Sequence, residues 1–183
     1  TTPNGDLIVT GNMRAILNTA NQTTTVNLID AAGTITTFTG LGNTTANIQS
    51  FIAKFNSNGI LLWVKELNSN ITKSFSVLTD ALAVDSNGDI YLTGNFVSNV
   101  ILPGVNPVTL TTANTTKSAF IAKFNGSSGN LVWHRESTGN ILSEILPALC
   151  YGDDGYVYAA GDFQNNDPSS ATPTQQQITI GGV

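Results

Sequence analysis

The stretch Phe51–Leu67, FIAKFNSNGILLWVKEL, returns about 70 residues later as Phe120–Ser137, FIAKFNGSSGNLVWHRES. Each copy is an alternating apolar segment, a turn of Asn, Gly and Ser, and a second apolar segment ending in a charged pair. Alternation with period two sends successive side chains to opposite faces of a strand, and small turn residues between two such runs spell a β-hairpin. A hairpin written twice makes the chain a repeat array, in which each unit buries its apolar face against its neighbours.

A second segment recurs three times: GDLIVTGN at Gly5–Asn12, GDIYLTGN at Gly88–Asn95 and GYVYAAGD at Gly155–Asp162. Two of these follow another strand-like run, SVLTDALAVD (Ser76–Asp85) and EILPALCYG (Glu144–Gly152), which places Ala83 level with Cys150. The unit therefore reads as four strands: A (ALAVD), B (DIYLTG), C (FIAKF) and D (LLWVKE). Four antiparallel strands in such a unit make a β-propeller blade. No stretch holds a 3.6-residue apolar period for three turns, which excludes a helical solenoid.

The spacing predicts one all-β propeller segment over 1–183. Blade one is partial over 1–68, with B, C and D only. It carries about 14 more residues between its B and C strands than the next repeat does, read as an inserted hairpin at about 23–39 around Ala31-Ala32-Gly33. Blade two is complete over about 76–137. Blade three is partial over about 144–183, with A and B followed by QQQITIGGV (Gln175–Val183), a likeness of Asn99–Val105. The total is about ten strands, or two and a half blades.

The patterns AVDSNGDIYLTGNF and FIAKFNSNGILLWVKEL resemble the SBBP-type β-propeller repeat family. The likeness is strongest over Ser50–Asn95 and Ala119–Trp133, and looser over Leu146–Gly161, where Pro147, Cys150 and Tyr151 depart from the pattern. The resemblance implies a repeated scaffold without a catalytic signature, so no catalytic, cofactor-binding or metal-binding residue is carried over. Closed propellers begin at four blades, and an open array would expose sheet edges. The expectation is a segment of a longer polypeptide, or one member of a ring that other chains complete. A chain opening on Thr1 rather than Met fits that expectation.

Composition narrows the function classes. Charged residues are 10% of the chain, while Thr, suited to pleated surfaces, and Asn, suited to turns, together make about a quarter. A net charge of −5 with seven basic residues lacks the clustered basic footprint of a nucleic-acid binder. No apolar run approaches the roughly 18 residues of a membrane span. The single cysteine, Cys150, excludes an intrachain disulfide framework. These features suit an extracellular, cell-surface or virion-surface protein.

Candidate chemistry is sparse. Asp85-Ser86-Asn87-Gly88-Asp89 and Asp153-Asp154-Gly155 offer oxygen ligands, but without EF-hand spacing or a closing bidentate Glu. They read as hairpin turns. His134, the only histidine, lacks an orienting carboxylate and a nucleophile in its sequence neighbourhood and reads as an outer-strand surface residue. Cys150 reads as a small buried apolar residue. Trp63 and Trp133 occupy equivalent positions and read as inter-blade packing. Lys54 and Lys123, with the pairs Lys65-Glu66 and Arg135-Glu136, repeat in the same way and suggest weak cross-strand ion pairs. Sequons stand at Asn21, Asn43, Asn70, Asn114 and Asn125.

The reading that follows is a non-catalytic structural or binding module, with protein partners or further blades completing the propeller. Recognition falls to the variable B–C segments, Met13–Gln49, Val97–Ser118 and Gln164–Gln177. One alternative is part of a propeller hydrolase or quinoprotein with its site in the central channel, for which Asp80, Asp85 and Glu144 are the available acids. Another is a carbohydrate-binding adhesin, for which Phe38, Phe96 and Phe163 are the aromatic residues nearest the variable segments.

Overall fold

A computed structural model describes residues 1–15, 23–41, 47–68, 77–112, 117–138, 141–165 and 179–180. These residues form fourteen strands and no helix: β1 (Leu7–Ala15), β2 (Thr23–Ile29), β3 (Ile35–Leu41), β4 (Asn47–Phe55), β5 (Leu61–Leu67), β6 (Val77–Val84), β7 (Ile90–Val97), β8 (Asn99–Leu102), β9 (Val108–Thr111), β10 (Lys117–Phe124), β11 (Leu131–Thr138), β12 (Ile141–Tyr151), β13 (Val157–Asn165) and β14 (Thr179–Ile180). The chain is all-β, a partial propeller of antiparallel sheets. The first blade runs β1-β4-β5, the second β6-β7-β10-β11, and the third holds β12-β13.

The count exceeds ten because the B–C segments are not simple loops. β2 pairs with β3, and β8 with β9, so both of the first two repeats carry a hairpin between strands B and C. The hairpin at 23–41 is thus a longer version of a feature present in both repeats. The turns explain how the strands meet. At Thr2, Asp30, Asn56 and Asp85, the side-chain oxygen accepts the backbone N–H four residues on, and a glycine three residues on holds φ between +76° and +82°. An oxygen-bearing side chain before a left-handed glycine satisfies a tight turn without outside help.

Strands B and C keep one register in both blades. Gly11 lies opposite Phe51 and Ile8 opposite Lys54, as Gly94 lies opposite Phe120 and Tyr91 opposite Lys123. The core fills the seam between the first two blades: Ile8, Ile52 and Leu67 from one, Ile90, Leu92, Phe96, Phe120, Ala122 and Phe124 from the other. Val100, Leu102 and Leu110 of the β8–β9 hairpin join it, fully or almost fully buried. Burying one such side chain stabilises the fold by about 1.5–3 kcal/mol.

Polar bonds also cross between blades. Thr10 Oγ1 donates to Thr79 Oγ1 at 2.9 Å, and Asn12 Oδ1 accepts the Thr79 N–H at 2.9 Å. At the next seam Thr93 Oγ1 donates to the Leu146 carbonyl at 2.7 Å, and Asp80 Oδ2 accepts the Leu146 N–H at 3.3 Å. Each blade also clips its predecessor. Ile101 in β8 donates to the carbonyl of Asn68, just past β5, at 2.6 Å. β14 pairs in the equivalent place on the second blade, with Thr179 opposite Thr138 and Ile180 opposite Ser137.

Candidate functional site

The densest polar cluster sits at the A–B turn of the second blade. Asp85 Oδ1 accepts the N–H groups of Asn87 and Asp89, both at 2.9 Å. Its Oδ2 accepts the Tyr91 hydroxyl at 3.2 Å and the Lys123 ammonium at 3.1 Å. Lys123 also pairs with Asp89 at 3.0 Å and lies over the Tyr91 ring, 5.1 Å from its centroid. Burial pushes the Asp85 carboxyl up, but Lys123 and the two N–H donors outweigh it and hold it below the usual range. Burial likewise opposes the charge on Lys123, yet bonds to Tyr91, Asp89 and Asp85 raise its pKa, while Tyr91 is raised by its own burial. Every group in the cluster faces another member, so the arrangement fixes strands.

The first blade repeats it in reduced form. Lys54 pairs with Asp6 at 3.0 Å and donates to the Gly126 carbonyl of the second blade at 3.0 Å, with Thr2 standing where Asp85 would. These ion pairs are largely buried, with Lys54 and Asp85 both under a tenth exposed, so they differ from the weak surface pairs expected of repeated charges. Gly126 has no room for a side chain, since a methyl group there would overlap the Gly88 carbonyl oxygen.

The remaining sequence candidates disperse. Asp80 accepts from Asn95 and Leu146, while Asp85 is taken up by the turn and by Lys123; Glu144 lies on β12 with its side chain outside the described residues. Among the described residues, no three His, Cys, Asp or Glu side chains come together as metal ligands would. His134 is half-buried on β11, and its Nδ1 has no hydrogen-bond partner among the described residues. Trp63 packs on the C–D turn of the next blade, where a methyl group on Gly129 would meet its ring at 2.8 Å. Trp133 meets Tyr91 edge-on at 6.0 Å, and Tyr91 in turn stacks on Tyr151 of the third blade at 5.7 Å. Asn125 lies in the β10–β11 turn, where its side chain accepts from Ser127 and Ser128. Asn21, Asn43, Asn70 and Asn114 lie outside the described residues.

Three expectations are corrected. Cys150 is exposed, not buried. It lies opposite Tyr158, on the face of β12 away from the second blade, and no described strand packs there. Phe38 and Phe96 are 2% and 0% exposed, with Phe38 stacked on Phe51 at 5.3 Å, so neither offers a ring to a sugar. The side chain of Phe163 is outside the described residues. The segment Val97–Ser118 is not a free polar loop, because alternate residues of its hairpin are core.

What the B–C hairpins do expose is their tips. Val105 is 82% exposed, Ile29 62% and Ile35 59%, and Val26, further down β2, is 39% exposed. Both tips are anchored at the start of strand D: Leu61 donates its N–H to Asp30 Oδ2 at 3.2 Å, and the equivalent Leu131 donates to the Pro103 carbonyl at 3.0 Å. Burial raises the Asp30 carboxyl, but N–H groups of Thr34, Leu61 and Ala32 overcome this and hold it below its usual range. The segments Gln164–Gln177 and most of 42–49 fall largely outside the described residues.

The chain is similar to an uncharacterized WD repeat-containing protein of Acanthamoeba polyphaga mimivirus, 27% identical over 165 residues. The match takes in 85% of this chain and 10% of that protein, so the chain spans about a tenth of its relative's length. No family model matches, and no solved structure does. A WD repeat relative agrees with the partial propeller built above.

Sequence reading missed the tyrosines. Tyr91 and Tyr158 occupy the same place in two B strands, and Tyr151 of the third blade stacks on Tyr91. The signal was present in IYLTG and in the Tyr151 that ends strand A of the third blade, but the same residues also satisfy a strand pattern, which hid their part in stacking one blade on the next.

Proposed function

We propose that the chain is a non-catalytic structural and binding segment of a larger SBBP-type propeller, with blades over 1–68, 76–137 and 144–183. Protein partners meet it at the tips of its B–C hairpins, on an extracellular, cell or virion surface. The carrying observation is the division of its side chains. Repeated polar groups turn inward onto the scaffold, whereas Val26, Ile29, Ile35 and Val105 stand exposed on the hairpins. Exposed apolar residues grouped on hairpin tips are what a protein partner buries. The WD repeat relative supports a repeat-built interaction scaffold, and the low charge and Thr/Asn-rich composition support a surface location.

The test is site-specific photo-cross-linking in the source material, with the reactive group at position 29, 105 or 62. Leu62 is a control, half exposed but on outer strand β5. Defined cross-linked protein partners are expected from positions 29 and 105 and not from 62. Equal labelling at all three positions would overturn the hairpin assignment.

A further inference from the structure

In the first two blades, strand B carries strand C on its outer edge. β13 is a B strand with the same landmarks, Tyr158 matching Tyr91 and Gly161 matching Gly94, and among the described residues its outer edge has no partner. We propose that this edge is a docking site for an extended segment of the Phe-Ile-Ala-Lys-Phe type, bound antiparallel with its first Phe opposite Gly161 and its Lys opposite Tyr158. The proposal rests on the binding-module reading and adds a site, a register and a ligand chemistry to it.

Three observations carry it. The register is already used twice in this molecule, at Gly11–Phe51 with Ile8–Lys54 and at Gly94–Phe120 with Tyr91–Lys123. The glycine has a purpose: the Phe51 ring lies so close over Gly11 that a methyl group there would come within 2.7 Å of it, and Gly161 leaves a partner ring the same room. The third is charge. In the second blade Lys123 is received by Asp85, Asp89 and Tyr91. In the third, Gly152 and Tyr156 replace the two acids, but a carboxylate reappears at Asp154, with its Oδ2 accepting the Tyr158 hydroxyl at 2.5 Å. That bond and the Tyr156 N–H hold the Asp154 carboxyl below its usual range, so it is anionic at neutral pH where an incoming lysine would arrive. Adding a strand to an open edge supplies main-chain bonds for affinity, with side-chain pockets for selectivity.

The probe is a fluorescent synthetic peptide of the chain's own Phe120–Ser137 sequence, titrated into the full chain and followed by anisotropy and amide hydrogen exchange. Saturable binding is expected, with exchange slowed across Val157–Asn165. Gly161→Val and Asp154→Lys should each weaken it at least about tenfold, and a peptide carrying Lys123→Glu should recover binding to the Asp154→Lys chain. Slowed exchange elsewhere, no binding, equal binding of a scrambled peptide, or charge reversal without recovery would overturn the proposal. Hairpin-specific cross-links from positions 29 and 105 do not depend on β13, so the two readings fail separately.

Discussion

The second and third blades begin alike, with a strand A, a tight turn and a strand B in matching register, and then part company. Tyr91 is 7% exposed, stacked on Tyr151 of the following blade, while its counterpart Tyr158 is 52% exposed. Leu92, fully buried, gives way to an exposed Ala159, and Asp85, bonded through both oxygens, gives way to Gly152. The turn is nevertheless the same: Gly88 and Gly155 hold φ of +82° and +86°. Local conformation here belongs to the strand pair, whereas burial and charge pairing belong to the neighbour. A blade acquires its core-like side chains only where another blade covers it.

That division can be broken in several places. Leu92→Ala in the second blade should cost about 3 kcal/mol through a cavity that its packed neighbours cannot fill. The reciprocal change, Ala159→Leu, should move stability by less than about 0.5 kcal/mol, because its site faces solvent. Urea unfolding of both variants decides, and equal effects would erase the contrast.

Next in size is Lys123→Met, which leaves Asp85 buried without its cation and should cost about 2 kcal/mol. Its pH dependence gives a second reading. Asp85 is held below its unfolded value, so it contributes stability above about pH 4 and loses it as the pH falls through the folded value. The gap between wild type and Lys123→Met should therefore narrow below about pH 4. Lys123 itself is raised, so its contribution is complete below about pH 10.5 and is lost only as the pH rises through the folded value.

A smaller effect separates the two A strands. Cys150 should be alkylated readily in the native chain, and a cysteine at the matching position, introduced as Ala83→Cys in a Cys150→Ser background, should react at least about tenfold more slowly. Comparable rates would mean that the face of the second blade is as open as that of the third. The smallest expected difference is between Gly88→Ala and Gly155→Ala. Each forces a side chain into the left-handed region at about 1 kcal/mol, and the two costs should agree. Unequal costs would show that the turn, and not only its neighbours, differs between blades.

Much of this was legible in the sequence. Period-two alternation, the Gly-closed B strands and the duplicated FIAKF hairpin mark blade strands where the structure has them, and Trp63 does reach the next blade, whereas the ring that Trp133 meets, Tyr91, belongs to its own blade. Cys150 was misread because alignment with Ala83 transfers a strand position but not the blade that covers it. Phe38 and Phe96 were misread because nearness to a variable segment does not set which face of a strand a ring takes: Phe38 on β3 and Phe96 near the end of β7 both turn inward. The hairpin at β8–β9 escaped notice because four-residue strands give too short a run for periodicity to register. The polar cluster was visible only in part: repeated lysines pointed to ion pairs, but Asp6, Asp85 and Asp89 lie far along the chain from the lysines they receive.

The clip between blades has a bearing on how the chain is made. Asn68 closes the first blade's outer strand by accepting from Ile101, which is synthesised only after the next blade's A and B strands. At roughly 5–20 residues per second, the outer edge of β5 stays unlatched on the ribosome for seconds. During that interval its free carbonyls are available to any passing strand, and the nascent successor is the nearest competitor. Synthesis order thus does for β5 what charge or proline does for exposed edges elsewhere: each blade is protected by the birth of the one behind it.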